Sequence, residues 1–202
     1  MGRRLPLHLT YKCALALLPP DNIIAPIEAV RRVHDRHFQR WPPHINLLYP
    51  FLSSASGQLA RRNYAPSEQY ATRQKYSTPR LEQHVRARSF SHSGTSKTVW
   101  LRTTGCQVEE LQAALQDEFF ECNLDIRRFT PHLTVGQADS EFIRRELVTD
   151  IQTKVREHLT QADQGLLGLD WYVDRVFVIE RKSYKGRFEI VDSVQLGGQI
   201  AT

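Results

Sequence analysis

The chain has 202 residues, of which 41% are hydrophobic and 24% charged, with a formal net charge of +5. That balance excludes disorder along the whole length and leaves room for one domain or two small lobes. No run approaches the roughly 18 consecutive apolar residues of a membrane helix, and Met1-Gly2-Arg3-Arg4-Leu5-Pro6 opens no apolar signal core, so neither a membrane anchor nor secretion is expected.

Leu7, Leu9, Tyr11, Cys13, Leu15 and Leu17 alternate with smaller or polar residues, which predicts a half-buried strand ending at Pro19-Pro20. Ile23, Ile27, Val30 and His34 recur at helical spacing up to about Phe38, with Asp21 and Asn22 preceding the helix and Pro26 placed in its first turn. His44 to Phe51 reads as a second strand after Pro42-Pro43. Residues 85–91 and 98–103 read as short strands around a His-Ser-Gly-Thr-Ser turn. Val108, Leu111, Leu115 and Phe119 mark a helix over about 106–121, and Phe129 to Gly136 a strand. Ser140 then caps a long helix with the apolar face Ile143, Leu147, Ile151, Val155 and Leu159. Two closing strands, about 171–181 and 187–196, meet across a turn at Tyr184-Lys185-Gly186. The order predicts an α+β fold of two related lobes, each an antiparallel-rich sheet with helices on one face and a central cleft between them. No linker separates independent domains, so residues 1–202 are expected to form one bilobal unit.

The three cysteines, Cys13, Cys106 and Cys122, are odd in number and form no Cys-x-x-Cys pair. Neither a disulfide framework nor a zinc ribbon is expected, and reduced thiols point to the cytoplasm or nucleus. Positive charge is concentrated: between Arg61 and Lys97 eight basic residues face two acidic ones. Overlapping its start, residues 52–80 hold no Val, Ile, Phe, Trp or Met, which predicts a poorly ordered basic insertion. Two readings stand: a solvated excursion, or a flap on which Tyr64, Tyr70 and Tyr76 meet bases while Lys and Arg meet phosphates.

Two short segments repeat one pattern. Pro43-His44-Ile45-Asn46-Leu47 and Pro131-His132-Leu133-Thr134-Val135 both read Pro-His-apolar-polar-apolar, and each opens a predicted strand after a helix. Side chains in a strand alternate faces, so His44 and Asn46 share one face while Ile45 and Leu47 take the other. His132 and Thr134 repeat the arrangement before Leu133 and Val135. Each strand therefore offers an imidazole and a hydrogen-bonding group about 7 Å apart. His34 and His37, at i and i+3 on a helix, form a possible metal edge, but no third ligand stands at a recognisable spacing. Tyr49, Phe90, Trp100 and Tyr184 are aromatic candidates for base stacking, and Arg128 is a candidate phosphate contact.

At these residues the sequence resembles the two-histidine (2H) phosphoesterases, the superfamily of 2′,3′-cyclic phosphodiesterases, 2′-5′ RNA ligases and a 3′-end-trimming RNA exonuclease branch. Arg40-Trp41-Pro42-Pro43-His44-Ile45-Asn46-Leu47-Leu48-Tyr49-Pro50-Phe51 is similar to the first motif and Phe129-Thr130-Pro131-His132-Leu133-Thr134-Val135-Gly136 to the second. The order of elements fits over about residues 7–197. Asn46 departs from the Thr or Ser usual there: its amide can hold a phosphate oxygen but cannot donate an O–H. The 52–80 stretch sits where relatives commonly carry a better-formed helix.

The resemblance implies a hydrolase that opens a 2′,3′-cyclic phosphate or a 3′-terminal phosphodiester of RNA, with His44 and His132 as general acid and base. Asn46 and Thr134 would hold the phosphate oxygens, without metal or cofactor. The expected partners are RNA 3′ ends or cyclic-phosphate nucleotides, and the expected state is a monomer. An alternative, motivated by Asn46, is an RNA-end binding module of the same fold with weak or no turnover.

Overall fold

The computed structural model describes residues 5–53, 80–91, 97–103, 107–124, 128–161 and 169–196. The basic stretch 52–80 thus lies outside the described residues except at its ends, where Leu52 is buried in a short strand and Arg80 opens a longer one. Tyr64, Tyr70 and Tyr76 fall outside them as well.

Among the described residues, ten strands form two four-stranded antiparallel sheets and one short pair. The first sheet has the order β10-β9-β2-β3, built from Glu189–Gln195, Arg175–Glu180, Cys13–Leu17 and Ile45–Leu48. The second has the order β7-β6-β5-β8, built from His132–Ala138, Lys97–Thr103, Arg80–Ser91 and Leu169–Tyr172. β1 (Leu9–Thr10) and β4 (Phe51–Leu52) make the short pair. Helices α1 (Asp21–His34), α2 (Gln107–Glu118) and α3 (Glu141–Gln161) complete the described fold, with a 3-10 turn at Phe120–Cys122.

The two halves correspond. In one, β2-α1-β3 leads from an inner strand through a helix to an edge strand; in the other, β6-α2-β7 does the same. The edge strands β3 and β7 meet each other, so the sheets join along the strands that carry the paired motifs. The helices cross over: α1 packs on β7 and α3, and α2 packs on β3. One continuous core results, running from Leu15, Leu17, Ile27 and Ile45 to Leu101, Leu111, Leu133, Val135 and Leu147. Burial of these side chains is the main stabilising term, at roughly 1.5–3 kcal/mol each before conformational entropy is set against it.

Several element boundaries differ from the sequence reading. The alternating run at 7–17 is two pieces, because a turn at Tyr11-Lys12 separates β1 from β2, and β2 is buried on both faces rather than one. α1 begins at Asp21, which puts Pro26 beyond its first turn; it ends at His34 because Asp35 turns extended while its N–H still bonds the Arg31 carbonyl at 2.8 Å. β5 is longer than expected, starting at Arg80. The run expected as one strand at 171–181 divides between sheets: β8 pairs with β5, whereas β9 pairs with β2 and β10. The break falls at Val173-Asp174, where the Asp174 carbonyl accepts the Leu196 N–H at 2.6 Å. The α3 cap is as expected, the Ile143 N–H bonding Ser140 Oγ at 3.2 Å. Cys13 and Cys122 are buried and neither is in a disulfide, and burial pushes the Cys13 thiol up to about 12.

Candidate active site

Both motif histidines are held in the same way. The His44 Nδ1 lies 2.7 Å from the Pro42 carbonyl, and the His132 Nδ1 lies 2.8 Å from the Thr130 carbonyl. In each motif the chain folds back so that the carbonyl two residues before the imidazole meets its ring. A carbonyl only accepts, so Nδ1 carries the proton in both rings, and Nε2 is the nitrogen on which protonation changes. His132 is the first residue of β7, and His44 immediately precedes β3. Ile45, Leu47, Leu133 and Val135 are buried, while His44, Asn46, His132 and Thr134 are only partly covered. The predicted alternation of faces is therefore realised in both strands.

The two histidines are close enough to interact electrostatically. Burial is the largest effect and lowers the His44 pKa to about 4; the Pro42 carbonyl opposes it, Arg31 and His132 lower it further, and Asp35 raises it least. His44 is thus neutral at physiological pH. Its ring stacks on Trp41 at 4.6 Å between centroids and 15° between planes, and Trp41 stacks in turn on Phe188 at 3.7 Å. His132 instead meets Trp100 edge-on at 5.6 Å. Each imidazole thus has an aromatic support, of different geometry.

Asn46 lies in register with Ala16, and its buried Oδ1 has no hydrogen-bond partner. A buried amide atom of this kind costs about 1–3 kcal/mol while unpaired.

Behind His44 lies a buried ion pair. Arg31 Nη2 and Nε approach Asp35 Oδ2 at 2.7 and 2.8 Å, and Nη2 also donates to the Trp41 carbonyl at 2.9 Å. Asp35 Oδ1 accepts from the His37 N–H at 2.8 Å and from Gln137 Nε2, on β7, at 3.1 Å. These residues were missed in the sequence, although a signal exists. Arg31 falls four residues after Ile27 on the apolar stripe of α1, with Asp35 four further on, and an Arg–Asp pair on an apolar stripe marks a buried ion pair.

The chain matches the model of the 2′-5′ RNA ligase superfamily over residues 19–185. It belongs to that superfamily. Solved structures show the same fold: Escherichia coli LigT complexed with NADP+ and LigT complexed with 3′-AMP each share 16% identity with this superfamily member at a TM-score of 0.52. Both alignments cover 93% of this chain and 99% of LigT. A further structure, described as a phosphoesterase, is 15% identical with a TM-score of 0.52, covering 93% of this chain and 99% of its own. No curated protein matches the chain significantly.

Other sequence candidates go elsewhere. His34 belongs to the packing of α1 on α3, where its Nε2 lies 3.2 Å from Asp150 Oδ2, and His37 is exposed. Among the described residues, no group of three or more His, Cys, Asp or Glu is gathered as a metal site. Trp100 is 2% exposed and supports His132 rather than offering a free face. Tyr49 packs edge to face on Trp41 and donates to the Tyr11 carbonyl at 3.2 Å. Tyr184 is exposed, with the Arg40 and Arg181 guanidinium carbons 5.3 and 4.9 Å from its ring centre. Arg128 is exposed. Phe90 sits in β5 opposite Thr98.

Proposed function

We propose that this superfamily member is a metal-independent phosphodiesterase that hydrolyses 2′,3′-cyclic phosphate or 3′-terminal phosphodiester ends of RNA. The matched tethering of His44 and His132 through Nδ1, on edge strands that meet, carries the reading. Two imidazoles presented by equivalent strands suit in-line displacement at phosphorus, in which one side needs a base and the other an acid.

The lowered pKa of His44 supports assigning it the role of base and His132 that of acid. His44, neutral down to about pH 4, is the base: its Nε2 takes a proton from water as the water oxygen bonds to phosphorus. His132, protonated at Nε2, gives its proton to the ribose oxygen as the phosphorus–oxygen bond breaks. The product is a ribose phosphomonoester, and the proton count balances across the two rings. Asn46, through its amide NH2, and Thr134, through its hydroxyl, donate to the non-bridging oxygens.

The fold relatives include LigT complexed with 3′-AMP, a ribonucleotide bearing a phosphate at the position such a product would have. The test is turnover of an oligonucleotide ending in a 2′,3′-cyclic phosphate, in EDTA. Each of His44→Ala and His132→Ala is expected to lower kcat by about 10²–10⁴-fold with the fold retained. Full activity in either variant, or abolition by EDTA, would refute the reading.

A further inference from the structure

We propose that the buried Arg31–Asp35 pair, gripped from the opposite lobe by Gln137, is a positioning device that sets His44 against His132. This inference rests on the two-histidine reading of the site but adds residues outside both motifs.

The connections run in one chain. Arg31 donates to the Trp41 carbonyl, and that residue's indole stacks on the His44 ring while the next residue, Pro42, holds its Nδ1. The backbone segment that orients His44 is thus fixed from behind by a guanidinium. Asp35 fixes that guanidinium, and Gln137 Nε2 fixes Asp35. Gln137 also accepts the Arg36 N–H at 3.0 Å through Oε1, so one side chain of β7 clasps two successive residues at the end of α1. β7 is the strand that His132 opens. The tether therefore spans the two lobes and has a histidine motif at each end.

A purely structural role accounts poorly for these groups. Desolvating a charged pair offsets most of its attraction, so apolar replacements of similar volume are commonly neutral or stabilising. Here the pair is 2% and 1% exposed, and Arg31 Nη1 is buried without a partner. What the ion pair provides that an apolar pair would not is directional hydrogen bonding to the Trp41 carbonyl and to Gln137. The charged groups acting on the His44 ring are Arg31 from α1, Asp35 just beyond its end and His132 from β7.

The experiment uses the full chain and two variants, Gln137→Leu and the double replacement Arg31→Met with Asp35→Leu. The readouts are thermal unfolding, steady-state kinetics on the cyclic-phosphate oligonucleotide, and ¹⁵N NMR titration of the His44 ring. In Gln137→Leu, which leaves the ion pair in place, kcat is expected to fall about 10- to 100-fold with KM nearly unchanged, the loss that a misplacement on the order of 1 Å produces. Unfolding temperature should hold, and His44 should titrate higher as the His132 charge recedes. The double variant should also release the Nδ1–H tautomer of His44. An unaltered His44 titration with unchanged kcat in Gln137→Leu overturns the proposal. So does a kcat loss that merely follows loss of folded protein while the His44 ring is unaffected. Should the wild type turn over no phosphodiester, the phosphodiesterase reading fails, and the NMR arm alone still decides whether the tether orients His44.

Discussion

Acidification offers the sharpest test of the charge arrangement around His44. In the unfolded chain this imidazole binds a proton below its ordinary value of 6.5, whereas in the folded protein it stays neutral until about pH 4. Across that window the unfolded state holds more protons, so stability rises with pH and is lost as pH falls from 6.5 toward 4. At 1.36 kcal/mol per pH unit, the full difference is about 3 kcal/mol, a large share of the 5–15 kcal/mol typical of a domain. Urea unfolding at intervals from pH 7 to pH 4 should show this slope in the wild type. His44→Gln, which keeps a polar side chain but cannot titrate there, should show a shallower one. In the proposed mechanism the same group is the base, so the acid limb of kcat/KM should lie near pH 4 rather than near 6.5. An acid limb near 6.5, together with identical stability slopes in wild type and His44→Gln, would refute the reasoning.

Two further outcomes follow from packing and hydrogen bonding. Asn46→Ala removes the amide proposed to hold a phosphate oxygen and should lower kcat/KM by about 10- to 100-fold, while Asn46→Thr should retain most activity. A large gain in turnover on Asn46→Thr would instead support the binding-module reading. Gly136→Ala places a Cβ 2.7 Å from both His34 Cβ and Leu147 Cδ1 and 2.8 Å from the His34 carbonyl, so β7 and α1 would have to separate. Overpacking of this kind should destabilise the protein by about 1–3 kcal/mol, and thermal unfolding at no change in Gly136 would show the contact to be slack.

Both imidazoles take their tautomer from a carbonyl two residues earlier, supplied by the short segment that leads into each strand. The Pro-His pairs therefore do more than mark strand starts: the preceding backbone is the hydrogen-bond partner. The asymmetry between the rings comes from elsewhere, in the face-to-face stack of Trp41 on His44 against the edge contact of Trp100 on His132.

The amino-acid order by itself determined features set within a few residues of one another. Period-two alternation placed His44 with Asn46 and His132 with Thr134, because adjacent strand side chains must point oppositely. Ser140 announced the start of α3, because its hydroxyl reaches a nearby N–H whatever the rest of the chain does. Tertiary structure decided what depends on partners distant in sequence. Residues 169–172 and 175–180 are equally strand-like, and only pairing with β5 or with β2 sends them to different sheets. Arg31 finds its value only when Trp41, Asp35 and Gln137 converge on it, and β7 reaches that point only after α1 has crossed to the other lobe. Local rules fix the direction of a side chain; the low-dielectric surroundings that keep His44 uncharged exist only once two sheets and their crossed helices have closed around it.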